Sequence, residues 1–187
     1  HNNYFKSKGN IENLIFAYQI TRNLNIKEKI IIKALNKFKG LPHRQEIILS
    51  NKKLLCINDS KATSFDASLQ SLSDNNEIYW IVGGIPKYKD YFYLKSVKKK
   101  IIKAYIIGKS ISFFQKQIKN DIDYTISRNI KTAIENIYND LKLNINSKKT
   151  ILLSPAAASF DQFNNFEKRG AYFKNLILKK FKREANV

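Results

Sequence analysis

The stretch Leu153 to Gly170, LSPAAASFDQFNNFEKRG, decides how this chain is read. It follows an apolar, strand-like run, Thr150 to Leu153, and opens with the small-residue turn Ser154, Pro155, Ala156, Ala157, Ala158 and Ser159. An amphipathic segment, Phe160 to Phe166, comes next and predicts a helix start at Phe160. An α/β sheet turns backbone N–H groups toward an anion in this order: apolar strand, tight loop, helix N-terminus. Small side chains let a ligand approach that backbone closely. An ordinary βα loop has the same order, so the stretch points to a carboxylate or phosphate site without assigning one.

The segments upstream set this stretch in an alternating pattern. Glu46 to Leu49 and Leu54 to Ile57 are short apolar strands around a polar turn. A helix follows from Ser64 or Asp66 to about Leu72, then a buried strand from Ile78 to Val82 closed by Gly83 and Gly84. Tyr91 to Lys99 reads as a helix, Lys103 to Ile107 as a strand, Ser110 to Ile118 as a helix and Asp123 to Ile126 as a short strand. Asn129 to Leu141 carries Ile130, Ala133, Ile134, Ile137, Tyr138 and Leu141 on one helical face, and Phe166 to Lys182 reads as a closing helix. Alternating strands and helices predict a Rossmann-like, mainly parallel sheet with helices on both faces. Ligands of such sheets bind beyond the C-terminal strand ends.

The first 40 residues differ. Two helices are expected, over 10–23 with Asn10 as cap, and over 27–38 with Ile30, Ile31, Ala34, Leu35 and Phe38 facing inward. Gly40 and Pro42 then mark a boundary. Two helices alone make no independent core, so they read as the tail of a preceding domain.

Composition narrows the function classes. The chain has 187 residues, 43% of them hydrophobic, with 12 Phe and 10 Tyr, enough for one domain with a sizeable core. No apolar run approaches a membrane span, and the polar start, HNNYFKSKGN, does not read as a secretory signal. One cysteine and two histidines leave no material for a disulfide framework and little for a metal site, so no metal ligands are assigned. A cytoplasmic setting is expected. The formal net charge of +19 invites a nucleic-acid reading. Lysine carries most of it, scattered over most predicted faces alongside abundant Asn and Ile, which is the mark of compositional bias rather than of a binding stripe.

Three loops lie at predicted C-terminal strand ends. Asn58 to Thr63 (NDSKAT) holds Asp59, Ser60, Lys61 and Thr63. Gly83 to Lys87 (GGIPK) pairs two glycines with a lysine. The third is the SPAAAS loop. Lysines, hydroxyls and helix N-termini together suit a small dianionic ligand. The bland alternative has Asp59 capping a helix and the lysines in solvent. Gly108, Lys109 and Ser110 resemble the end of a P-loop, but Lys103 stands where that motif needs its first glycine, so the segment reads as a βα turn.

NDSKAT, the preceding LPHR (Leu41 to Arg44) and LSPAAASFDQFNNFEKRG together resemble the C-terminal part of the Mur ligase family, specifically its D-glutamate-adding members. The resemblance covers about residues 9–187. It implies three domains, of which residues 1–40 correspond to the end of the central ATPase domain and 42–187 to the C-terminal, D-glutamate-binding domain. The central P-loop and the UDP site would belong to a missing N-terminal half. Family members typically have His-Asn where this chain has Gly9-Asn10.

The implied reaction is ATP-dependent amide formation. The alanine carboxylate of UDP-N-acetylmuramoyl-L-alanine is phosphorylated, and the amine of D-glutamate attacks the acyl phosphate. Magnesium would bridge the phosphates, bound mainly by the central domain. The resemblance assigns Thr63 and Lys87 to the α-carboxylate of D-glutamate, and Ser159 with the segment Phe160 to Phe166 to its side-chain carboxylate. It assigns Arg44, Asp59 and Asn10 to ATP, and Lys61 to the reacting groups. The chain alone is expected to be inactive. Competing readings are a stand-alone binding module, an inactive remnant and a basic nucleic-acid-binding domain.

Overall fold

A computed structural model describes residues 3–6, 8–142 and 147–181. The chain divides into two compact units, one ending at Leu41 and one beginning at Pro42.

The first unit holds helices α1 (Lys8–Asn23) and α2 (Glu28–Lys37). The Tyr4 and Phe5 rings pack on Phe38, and Gly40, at φ +89°, lies where any Cβ would strike the Tyr4 ring. Asn10 lies inside the first turn of α1 and not at its cap, and its amide Nδ2 donates to the Tyr4 carbonyl at 2.8 Å. Of the α2 residues expected inward, Ile31 is buried while Ile30 stays 54% exposed. On α1, Ile11, Ile15 and Ile20 are also exposed. Among the described residues of this unit, the two helices pack on one another and on the turn at residues 3–6, and one helix covers only one stripe of its neighbour.

The second unit is a six-stranded sheet in the order β1-β2-β6-β3-β4-β5. Its strands are β1 (Glu46–Ser50), β2 (Leu54–Asn58), β3 (Ile78–Gly83), β4 (Ile101–Ile107), β5 (Tyr124–Arg128) and β6 (Lys149–Leu153). Only the β1–β2 hairpin is antiparallel. Its turn is fixed by the Asn51 carboxamide, whose Oδ1 accepts from Lys53 N–H (2.9 Å) and Leu54 N–H (2.7 Å). The other strands run parallel and end together at one edge. Asn58 pairs with Leu153, Ile81 with Leu153, Gly83 with Ile107 and Ile107 with Arg128.

Strand side chains alternate between two cores. Ile57, Trp80, Val82, Ile106 and Leu152 face α3 (Phe65–Asp74) and α4 (Ile111–Ile118) through Phe65, Leu72, Phe114 and Ile118. Cys56, Ile81, Tyr105, Ile151 and Leu153 face α5 (Ile130–Lys142) and α6 (Phe166–Phe181) through Ile134, Ile137, Phe173 and Ile177. The near-continuous apolar strands are therefore buried on both faces, as the alternating pattern predicts. Among the described residues, no helix is long and apolar enough to cross a membrane.

Two expected elements differ. The helix predicted over Tyr91 to Lys99 is a pair of 3₁₀ turns, Leu94–Ser96 and Lys98–Lys100. Phe92, Leu94 and Val97 all turn into the core, Phe92 stacking on Phe65 at 4.4 Å, and that spacing does not fit one α-helical face. The amphipathic segment Phe160 to Phe166, expected to start a helix, does not, while the closing helix read over Phe166 to Lys182 begins at Phe166 as expected. Residues 160–165 form turns, and Asn165 caps α6 by accepting the Lys168 N–H at 2.8 Å. The start of α3 is capped from a distance: Ser64 makes no side-chain cap bond, and the Asp90 carboxylate accepts the Phe65 N–H at 2.9 Å.

Trp80 carries a direct test of this packing. It is fully buried, and its indole N–H donates to the Ser154 carbonyl at 2.7 Å. Trp80→Phe removes that bond and leaves a void, at an expected cost of about 1–3 kcal/mol. Urea unfolding of both forms measures it as a lower midpoint with an unchanged slope.

Candidate functional site

The parallel strand ends carry the predicted loops side by side, because β6 lies between β2 and β3. The loop after β3 is bonded to the loop after β6. Gly83 N–H donates to the Pro155 carbonyl at 2.9 Å, and Ile85 and Ala158 exchange two bonds of 2.9 Å. Gly83 and Gly84 sit at φ +134° and +135°, with the Ile107 backbone and the Ala158 carbonyl where a Cβ would go. Glycine is required at both positions, which explains the GG of GGIPK. Lys87 follows on the exposed rim.

The loop after β2 is pinned from several sides. Asn58 Oδ1 accepts from Ser60 N–H (3.2 Å), and its Nδ2 faces Glu46 Oε2 (3.1 Å), the Gly170 carbonyl (3.2 Å) and His43 Nδ1 (2.8 Å). The role of His43 Nδ1 in this contact is set by the tautomer of the ring. Gly170 has no room for a side chain beneath His43 and Asn58. The Lys61 N–H donates to the His43 carbonyl at 3.0 Å, and its ammonium lies 4.2 Å from the centre of the Phe166 ring. That cation–π contact places Lys61 over the start of α6.

Asp59 points inward and is 6% exposed. Its Oδ2 accepts from the hydroxyls of Ser71 (2.5 Å) and Ser154 (3.0 Å), and its Oδ1 from Gln45 N–H (3.2 Å). Burial raises its pKa from 3.8 to about 6, against the lowering effect of these donors and of the nearby Arg44 charge. Arg44 itself is exposed.

Of the residues singled out in the sequence, Thr63 is half-buried and Ser159 is buried, and neither hydroxyl has a hydrogen-bond partner among the described residues. Phe160 is 71% exposed and lies in a turn, and Phe166 is half-buried at the first position of α6. Asn10 belongs to the first unit. The β2, β3 and β6 loops thus meet at one edge through bonds between Asp59 and Ser154 and between Ile85 and Ala158. The Gly108 turn is no phosphate cradle: the Asp161 carboxylate already accepts the Lys109 N–H at 2.8 Å.

Arg169 was not among the predicted residues. It is 1% exposed on α6, with Nε on Ser60 Oγ (3.0 Å) and Nη2 on the Ser60 carbonyl (2.8 Å), while Ser60 Oγ donates to the Phe166 carbonyl at 2.8 Å. Its Nη1 has no partner among the described residues, and burial lowers its pKa to about 10. The sequence carries a signal for it: Arg169 falls on the same helical stripe as Phe166, Phe173 and Ile177, where a cation is out of place unless bonded.

Among the described residues no group of three His, Cys, Asp or Glu side chains stands close enough to hold a metal ion. The acid nearest the loops, Asp59, is already engaged by three donors, so these residues do not fit a magnesium site of their own.

No protein-family model matches the chain. It is 37% identical over 167 residues to the UDP-N-acetylmuramoylalanine–D-glutamate ligase of Rickettsia felis, covering 89% of this chain and 37% of that protein. It is 35% identical over 164 residues to the ligase of the same name from Rhizobium meliloti, covering 88% of this chain and 35% of that one. The chain therefore spans little more than a third of the curated relatives it matches. In fold it is similar to the crystal structure of MurF from Acinetobacter baumannii, with a TM-score of 0.58 and 15% identity over 90% of this chain and 38% of that one.

The buried carboxyl of Asp59 makes stability depend on pH. Its folded pKa, about 6, lies above its ordinary 3.8, so the folded state holds the proton more tightly. Its contribution is fully present below the lower value and is lost as pH rises through the higher one, a change of up to about 3 kcal/mol. Urea unfolding from pH 4 to 6.5 is expected to show this loss in the native protein and not in Asp59→Asn.

Proposed function

Because this chain belongs to the Mur ligase family, we propose that its second unit receives D-glutamate in a ligase that joins it to UDP-N-acetylmuramoyl-L-alanine with ATP. The observation that carries the reading is the set of uncommitted polar groups at the strand-end edge. The hydroxyls of Thr63 and Ser159 and the ammonium of Lys87 stand on loops otherwise closed by their own hydrogen bonds. D-Glutamate is a dicarboxylate whose amine must stay free to attack. A receiving site therefore needs donors for two carboxylates and no nucleophile of its own.

In this reading Lys87 and Thr63 hold the α-carboxylate, the ammonium supplying charge and the hydroxyl direction. Ser159 and the opening turn of α6 at Phe166 hold the side-chain carboxylate, since the first N–H groups of a helix have no helical acceptor. Phe160 is placed to cover the ligand from the rim. Gripping both ends of the ligand fixes the amine relative to the incoming acyl group, an entropic contribution to rate. Lys61, held over the Phe166 ring, supplies positive charge beside the reacting carboxylate and phosphate.

ATP supplies the phosphoryl group that activates the alanine carboxylate. Arg44, exposed at the start of the unit, suits a phosphate oxygen. Asp59 has one oxygen bonded by two hydroxyls and the other by a single N–H, so Oδ1 is the atom left for a ribose hydroxyl. Asn10 would act from the first unit, with its amide nitrogen already given to Tyr4. The two units correspond to the end of the central domain and to the C-terminal domain, and the rest of the ligase supplies the P-loop, the magnesium ligands and the UDP site. ATP and a nucleotide-linked substrate put this work in the cytoplasm.

Steady-state kinetics of the full-length ligase tests the reading. Lys87→Ala is expected to raise the KM for D-glutamate about ten- to a hundredfold, from loss of one charge-assisted bond of roughly 1.5–3 kcal/mol. The KM for ATP should stay put. Lys109→Ala keeps its backbone N–H on Asp161 and should change neither. An equal rise in the D-glutamate KM for both variants would overturn the assignment.

A further inference from the structure

Ser159 stands between two anchors of different kinds. On its N-terminal side, Ala158 is tied to Ile85 by two backbone bonds. On its C-terminal side, the Ser159 carbonyl closes a turn by accepting from Gln162 N–H (3.0 Å) and Phe163 N–H (2.8 Å). That turn is fastened to the far strands by side chains. Asp161 Oδ2 accepts the Lys109 N–H at the end of β4, and Gln162 Nε2 donates to the Arg128 carbonyl at the end of β5, each at 2.8 Å. The fit around Asp161 is close: Gly108, at φ +84°, has the Asp161 carboxylate and the Gly84 backbone where a Cβ would go.

We propose that Asp161 is a positioning residue for D-glutamate, its carboxylate clamping the Ser159 turn onto the Gly108–Lys109 N–H and so setting where the Ser159 hydroxyl stands. This rests on the assignment of Ser159 to the D-glutamate side-chain carboxylate. The clamp works by geometry. The Asp161 carboxylate is given to the protein, its hydrogen-bond partner being a backbone N–H two strands away from β6. Without it, the Ala158 bridge still closes the loop on one side and the sheet is untouched. Only the C-terminal side of Ser159 gains freedom, and a donor that must be ordered before it binds gives weaker binding. The same carboxylate fills an N–H at a glycine turn that would otherwise offer an anion a second place to bind.

The test is steady-state kinetics of the full-length ligase with each substrate varied separately, in Asp161→Ala, Asp161→Asn and Lys87→Ala. Asp161→Ala is expected to raise the KM for D-glutamate about tenfold, with the KM for ATP and for the UDP substrate changed less than about twofold. Asp161→Asn keeps an oxygen that accepts the Lys109 N–H, and should return the D-glutamate KM to within about threefold of the native value. If Asp161→Ala does not accumulate as folded enzyme, Asp161→Ser, whose hydroxyl falls short of Lys109, replaces it. The proposal is overturned if the Ala or Ser variant leaves the D-glutamate KM unchanged while Lys87→Ala raises it. It is also overturned if all three KM values rise together, or if Asn is no better than Ala. If Lys87→Ala leaves the D-glutamate KM unchanged too, the site assignment fails and this proposal fails with it.

Discussion

The edge of the sheet depends on one residue, Ser154, which ties three strands and a helix together. Its carbonyl accepts from the Trp80 indole on β3 and from the Ser68 hydroxyl on α3 (3.2 Å), and its own hydroxyl donates to Asp59 at the end of β2. All of these groups are buried. In such surroundings a satisfied network is strong and a half-satisfied one is costly, because no water is at hand to replace a missing partner. The buried acid is tolerated here because its donors converge from different elements. Removing any one element would take a donor from a buried carboxyl, so the network favours one arrangement of the loops after β2 and β6.

The second constraint is the Arg169 guanidinium under the NDSKAT loop. A buried cation is costly unless its donors are bonded. Here Nε and Nη2 both go to Ser60, whose hydroxyl in turn reaches the Phe166 carbonyl, while Nη1 has no partner among the described residues. The helix that covers the sheet is thereby bolted to the loop that carries Lys61 and Thr63. Because α6 also holds Phe166 beneath Lys61, one helix fixes both the backbone and the side-chain direction of that loop.

Much of this was legible in the chain. Every strand and four of the six helices follow from apolar periodicity and turn residues, because buried parallel strands need apolar runs and their connections need Gly, Asn and Asp. The two N-terminal helices are equally legible as helices, but which of their faces is covered is not, since Ile30 and Ile31 look alike in sequence and differ in burial. The failures share a cause. At Tyr91 to Lys99 and at Phe160 to Asn165 the residues look helical, yet their side chains are spent on distant partners: Phe92 on Phe65, Asp161 on Lys109, Gln162 on Arg128. Local propensity is a weak prior against such contacts. The loops of the candidate site were visible as clusters of Gly, Ser, Lys and Asp. The inward turn of Asp59 and the burial of Arg169 were not, because both depend on which residues meet across more than 90 positions of chain.

These contacts separate the polar residues of the edge by what they do. Ser60, Ser154 and Asp161 have their hydrogen-bonding groups turned onto the protein itself, as do most of those of Asp59 and Arg169, whose Nη1 has no partner among the described residues. Thr63 and Ser159 keep hydroxyls without partners among the described residues, and Lys87 stands at the rim. A ligand-binding surface gains affinity when its donors are already in place and need not give up a protein partner to reach the ligand. The committed set fixes the loops, and the uncommitted set is left at the positions those loops define. Apolar packing would serve stability as well; in the proposed D-glutamate site, the buried polar residues of this edge would instead hold a few uncommitted donors still.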